Sequence, residues 1–292
     1  GVLVVSGLVY SALSDHRLPI IQGAEVVLTL DETTQSDRLG SWRERLQERL
    51  NRNPEDAKSW YLLGHAALKL SDASAAAQAF AKTDALVEND VSVKFYWLQA
   101  RLMANNGQLD NVSEGLANQL LSMDPNNSPV LELLSVTMMQ RGDLHQAIRY
   151  MNRAITASGN LDRQIALASA ITVLRGRLDA KAPHIAVSVT ATAEPEDRAV
   201  VFVVARPPGG GMPYAAVRRP AAMLPFNVQL DDLVSMSEGR SLSAAEEFEI
   251  LVRVSKQGIA QANTDDWVWR SAVMSQQDLH NGKAVRATLQ PN

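Results

Sequence analysis

Residues 60–67 read Trp-Tyr-Leu-Leu-Gly-His-Ala-Ala, and Ala76 and Phe80 follow one helix later. The apolar positions recur at three- and four-residue steps, which predicts an amphipathic helix followed by a second helix. Small residues at Gly64 and Ala76 would let the two helices approach closely, while Trp60 and Phe80 would fill the space between this helix pair and the next. The stretch therefore predicts a tightly packed helical hairpin.

The same order of residue types recurs further along the chain. It returns clearly at residues 131–154, and a degenerate copy lies between the two. The starts near Ala57, Val91 and Ser128 are spaced close to the roughly 34-residue period of tetratricopeptide (TPR) repeats. Because each helix pair has an apolar face too large to bury alone, such repeats stack on one another. Three TPR repeats are predicted.

Two further helices are predicted to flank the repeats. An amphipathic helix begins at Ser36, and it should end near Asn53-Pro54 because proline disfavours helix in the residue before it. A last helix at residues 161–178 would cap the stack. The predicted TPR domain spans residues 36–180.

Stacked repeats leave a concave surface lined by the outward positions of the first helix of each pair. Aromatic and methionine side chains there offer adaptable contacts for an amphipathic helix. The alternative is that Phe95, Leu102 and Met139 pack on a neighbouring helix or on the second domain. The predicted peptide-binding residues are Tyr61, His65, Leu68, Phe95, Gln99, Leu102, Glu132, Val136 and Met139.

Beyond Pro183 the helical period gives way to short alternating runs, so residues 183–292 are predicted to form a small antiparallel β-sandwich. The Gly-rich stretch 207–211 lacks the Gly-Lys-Ser/Thr of a phosphate-binding loop and is predicted to be a hairpin loop. The predicted strands are 184–192, 199–206, 214–219, 226–230, 247–255 and 285–289.

The chain opens with an uncharged apolar run, residues 1–13, which is too short to span a bilayer by itself. We interpret it as the remnant of a transmembrane anchor, with residues 14–35 as an extended tether. The alternatives are a remnant of a cleaved signal peptide and a buried core helix.

Composition excludes several classes of function. A formal net charge of −4 gives no basic field for nucleic acid, and the lack of cysteine excludes thiol nucleophiles, disulfides and thiolate-bound zinc. The five histidines are isolated and lack metal-ligand spacing. The adjacent pairs Asp231-Asp232 and Asp265-Asp266 would point to opposite faces of a strand, so we expect salt bridges with Arg218, Arg219 or Arg240 rather than acid-base catalysis. No enzyme activity, metal or cofactor is predicted.

The two halves together resemble the CycH type of cytochrome c maturation protein, a TPR subunit of the haem lyase complex. The resemblance rests on Trp60 to Gly64, on residues 206–213, 217–219, 224–236 and 239–243, and on Arg253-Val-Ser-Lys-Gln-Gly258. It departs at Asp265-Asp-Trp-Val-Trp269, where a shorter turn is expected.

This resemblance implies a chaperone anchored in the bacterial inner membrane, with its soluble domains in the periplasm. Such a protein would bind the C-terminal helix of apocytochrome c and deliver it to the membrane haem lyase subunits. The alternative is a general TPR scaffold that assembles an envelope complex.

Overall fold

The computed structural model describes residues 23–237 and 239–291, so the predicted anchor remnant at residues 1–13 lies outside the described residues. A helical, TPR-like region precedes a region of antiparallel sheets, which confirms the predicted fold class. The helices are α1 (Ser36–Arg52), α2 (Ala57–Lys69), α3 (Ala73–Leu86), α4 (Val91–Ala104), α5 (Asn111–Met123), α6 (Ser128–Gln140), α7 (Leu144–Ala157) and α8 (Leu161–Arg175).

A short acidic or amide side chain begins each repeat helix. Asp56, for example, accepts a hydrogen bond from the backbone N–H of Ser59 at 3.1 Å and so satisfies a donor that the helix leaves unpaired. The same contact is made by Asp72, Asp90, Asp110, Asn127, Asp143 and Asn160. These caps explain why helices restart after every short turn.

The chain divides between Pro125 and Asn126 into two compact units. The core of the first unit contains the side chains of Leu39, Leu46, Tyr61 and Phe80, all fully buried. Gly64 lies directly against the Phe80 ring, as the small residue at this position predicted.

The part of the predicted tether that the structure describes is folded rather than extended. Residues Ala24–Leu28 form a turn of 3₁₀ helix, and Ala24, Val27 and Leu30 are buried in the first core. Ala24 and Val27 are three residues apart, so they share one face of this 3₁₀ helix, and Leu30 follows just beyond its end. The apolar face stabilises this segment against the helices.

The second unit contains α6 to α8 and the β-region. Its strands are β1 (Ile185–Ala191), β2 (Val200–Arg206), β3 (Ala215–Pro220), β4 (Phe226–Leu230), β5 (Glu247–Ser255), β6 (Trp267–Arg270), β7 (Met274–Ser275) and β8 (Ala284–Leu289), with a short helix α9 (Gln276–His280). One sheet has the order β4-β1-β8, and the other has the order β3-β2-β5-β6 with β7 beside β5.

Most neighbouring strands are antiparallel, but β1 and β8 pair in parallel. The Gly-rich stretch joins the antiparallel strands β2 and β3, and Gly209, Gly210 and Gly211 all have positive φ angles. This conformation suits glycine, and the hairpin-loop prediction is confirmed.

Within the described ranges, every helix is too short or insufficiently apolar to cross a membrane.

Candidate functional site

The predicted peptide-binding residues on α2 lie inside the first unit. Tyr61 and His65 are buried, with their ring centroids 4.5 Å apart, and His65 lies 4.4 Å from the ring of Tyr96. Edge-to-face contacts of this kind belong to a packed aromatic core. A bound peptide could not touch these side chains in this conformation. Tyr61 and His65 are therefore core residues and not the surface residues that the sequence predicted.

The two lysines of α2, Lys58 and Lys69, contact the folded segment at residues 24–30. Lys69 Nζ donates hydrogen bonds to the carbonyl oxygens of Leu28 at 2.9 Å and Leu30 at 2.8 Å. Lys58 lies 3.6 Å from the carboxylate of Glu25. Leu68 is half-buried against the same core. The α2 surface of the first repeat is thus covered by the chain's own residues.

On α4, the predicted peptide-binding residues differ in how deeply they are buried. Leu102 is buried, which corrects its assignment. Phe95 is half-buried, with its ring 5.6 Å from that of Tyr96, and Gln99 is also half-buried. Met103, next to Leu102, is exposed.

On α6, the predicted residues include an exposed apolar pair. Val136 and Met139 are 42% and 38% exposed. They lie three residues apart, so they share one face of the helix, and Gln140 beside them is exposed too. We call Val136, Met139 and Gln140 the α6 surface.

Glu132, predicted to contribute to the same surface, has a partner within the chain. Its carboxylate forms an ion pair with Arg163 of α8 and accepts a hydrogen bond from Ser128 Oγ at 3.1 Å. The Glu132 side chain therefore holds two helices of the second unit together.

The predicted salt-bridge role of the aspartate pairs is correct for one member of each pair, but the partners are different. Asp231 pairs with Arg175 at 2.6 Å, and Asp266 pairs with Arg253. Asp232 instead accepts a hydrogen bond from the backbone N–H of Ser243 at 3.0 Å. Each of these three carboxylates therefore has a structural contact within the second unit.

The buried imidazole of His65 makes the first unit sensitive to acid. Burial, with a smaller contribution from the charge of Lys69, lowers the pKa of His65 to about 3, whereas the pKa of an unfolded histidine is about 6.5. Between these values the unfolded chain binds more protons than the folded chain, so stability is lost as the pH falls below the unfolded pKa. At about pH 5 we expect a loss of about 2 kcal/mol from this residue alone.

Urea unfolding of the chain and of His65→Leu at about pH 7 and about pH 5 measures this contribution. The variant should lose about 2 kcal/mol less than the natural chain over that interval. His145→Leu, at an exposed position of α7, is the matched control and should keep the natural pH dependence. Equal pH dependence in His65→Leu and the natural chain would rule out the buried neutral imidazole.

Comparison with known proteins gives matches over both regions. A family model described as the cytochrome c-type biogenesis protein H TPR domain matches residues 30–165. The model for the Ig-like domain of the same protein matches residues 183–286. The curated cytochrome c-type biogenesis protein CycH of Pseudomonas aeruginosa is 28% identical over an alignment of 250 positions, and the match covers 79% of this chain. The match spans 61% of that relative's length.

Solved structures of MamA show a weaker likeness. A MamA double mutant is 16% identical, with a TM-score of 0.43 over 56% of this chain and 88% of MamA. MamA from Desulfovibrio magneticus RS-1 is 15% identical, with a TM-score of 0.39 over 56% of this chain and all of the matched structure. Scores this low have no bearing on function.

Proposed function

The chain belongs to the CycH family of cytochrome c-type biogenesis proteins, and we propose that it is a non-catalytic adaptor that binds the C-terminal helix of apocytochrome c. In this proposal it delivers the bound helix to the membrane haem lyase subunits, which attach the haem. The chain would be anchored in the bacterial inner membrane, with its helical and β-regions in the periplasm.

The observation that carries the proposal is the exposed apolar pair on the first helix of the third repeat. Val136 and Met139 offer adaptable apolar contacts, and Gln140 offers a hydrogen-bonding edge. An amphipathic helix presents the complementary pattern, with apolar residues every three or four positions and polar residues beside them. The α6 surface is therefore the proposed contact for the captured helix.

The composition of the chain supports the same role. Apocytochrome c presents reduced cysteine thiols for haem attachment, and this chain has no cysteine. Disulfide exchange requires a thiol or disulfide on both partners, so a cysteine-free chaperone forms no mixed disulfide with its substrate.

Replacing both Val136 and Met139 with serine should weaken binding of an apocytochrome C-terminal helix peptide about 30-fold. Two partly exposed side chains at the centre of a contact together contribute about 2 kcal/mol to the binding free energy, which corresponds to about 30-fold in affinity. Thermal unfolding should change little, because both side chains already face solvent. Fluorescence anisotropy of a labelled peptide measures the affinity.

The double variant Leu161→Ser with Val173→Ser is the matched control, because it removes two exposed apolar side chains from α8 in the same unit. It should leave the affinity unchanged. Equal binding of a scrambled peptide with the same composition would instead favour the general scaffold, and equal binding by the two double variants would contradict the assignment of the α6 surface.

A further inference from the structure

A cavity of about 730 Å³ lies within the second unit. It is bordered by α7, α8, β1, β3 and β4, and its volume is within the range of small-ligand pockets, about 300–1,000 Å³. Its apolar lining includes Ile171, Val187, Val217, Val228, Leu233 and Leu279. The cavity can therefore hold an apolar group of moderate size.

Arg219 is the most deeply buried charge in the lining of this cavity, with only 5% of its surface exposed. It follows Ala215 and Val217 on the inward face of β3. The guanidinium donates hydrogen bonds to Asn152 Oδ1 at 3.2 and 3.3 Å and to the carbonyl oxygen of Arg218 at 2.9 Å. Both acceptors are uncharged.

Among the residues that the structure describes, no carboxylate lies within ion-pairing distance of Arg219. The aspartates that line the cavity are bound elsewhere. Asp231 pairs with Arg175, Asp232 accepts from Ser243, and Asp179 accepts from the backbone N–H of Lys181 at 2.9 Å. Arg175, which is also positively charged, acts on Arg219 by repulsion.

A buried cation without a counter-charge is energetically costly, and proteins rarely retain one. Burial, followed by the charge of Arg175, lowers the pKa of Arg219 to about 10. The side chain therefore stays protonated at neutral pH. Its planar group of N–H donors matches the two oxygens of a carboxylate better than it matches a single amide oxygen.

We propose that this cavity binds a ligand with a carboxylate on an apolar body, and that the carboxylate pairs with Arg219 while the body lies against Ile171, Val217 and Val228. The carboxylate is that of a polypeptide C-terminus or of a free carboxylic acid, because both present the same chemistry. The inference does not depend on the proposed capture of apocytochrome c, which uses the α6 surface.

Two pairs of probes test the proposal by calorimetry on the full chain. The first pair is 4-phenylbutyrate and its neutral amide, and the second is a Leu-rich tetrapeptide with a free or an amidated C-terminus. We expect the acid of at least one pair to bind about tenfold or more tightly than its amide, because a charge-assisted hydrogen bond is lost with the charge. Selectivity for the tetrapeptide acid alone would assign a chain terminus, and selectivity for phenylbutyrate alone a free acid.

Arg219→Gln should abolish the preference for the acid. Arg218→Gln is the matched control, since Arg218 is a half-buried neighbour that donates to the carbonyl oxygen of Ile155, and it should retain the preference. In the natural chain, failure of both acids to bind, or equal affinity for acid and amide, would overturn the proposal even if Arg219→Gln failed to fold. Retained selectivity in a folded Arg219→Gln would overturn it as well.

Discussion

Replacing Arg253 with alanine is expected to lower the free energy of unfolding of the second unit by about 3–5 kcal/mol, the usual consequence of removing one partner of a buried ion pair. Arg253 and Asp266 are both buried. The guanidinium also donates to the carbonyl oxygens of Gln261 at 3.0 Å and Ile259 at 3.1 Å, and it lies 5.0 Å from the centre of the Phe202 ring. One side chain therefore holds the loop between β5 and β6.

Urea unfolding followed by tryptophan fluorescence measures this loss, because Trp267 and Trp269 lie on β6 beside the loop. Lys256→Ala is the matched control, since Lys256 forms an exposed ion pair with Glu196 at 3.9 Å. Exposed pairs contribute less than about 1 kcal/mol. A loss for Arg253→Ala as small as that for Lys256→Ala would show that the buried pair does not stabilise the loop.

Gly64→Val should destabilise the first unit by about 3 kcal/mol. A Cβ atom added at Gly64 would lie 2.7 Å from Cε1 and Cζ of Phe80, closer than van der Waals contact allows. Phe80 cannot move aside easily, because it is fully buried and stacks on Tyr96 with ring centroids 5.6 Å apart. Overpacking a tight core costs about 1–3 kcal/mol, and valine adds two methyl groups beyond the first clash.

Gly115→Val on α5 is the control for the change in helix propensity, since a Cβ built there has no atom within 4 Å apart from its chain neighbours and the nearby backbone of its own helix. The free energy of unfolding of Gly115→Val should differ from that of the natural chain by less than about 1 kcal/mol. The variant should be the more stable of the two, because valine has a higher helix propensity than glycine. Thermal and urea unfolding of both variants separates packing from propensity. Similar stability of Gly64→Val and Gly115→Val would show that the hairpin is not closely packed at Gly64.

Helix positions could be predicted from the sequence because turn residues and apolar spacing agree. Asn53-Pro54 predicted the end of α1, which ends at Arg52. The helix predicted to cap the stack was expected to reach residue 178 but ends at Arg175, next to Gly176. The short strands β6 and β7 were missed, because four and two residues are too few for an alternating pattern to stand out.

The candidate surface was harder to predict, because a first helix of a repeat has several buried faces. On α2, nine of the thirteen residues are buried, including Lys58 and His65. From their polarity alone, Lys58 and His65 would be expected on the protein surface. The apolar residues Ala24, Val27 and Leu30 recur every third position, a spacing that would have indicated a buried segment rather than an extended tether. The inward position of Arg219 likewise follows from alternation with Ala215 and Val217, but its missing counter-charge could be found only from the structure.

Photo-crosslinking tests the proposed capture of a helix most directly. A photoreactive amino acid at position 139 on α6 should crosslink to an apocytochrome C-terminal helix peptide, and unlabelled peptide should compete. The same group at Val173, an exposed position on α8, should give little product. Strong crosslinking from position 173 but not from position 139, or crosslinking to a scrambled peptide with equal yield, would contradict recognition at the α6 surface.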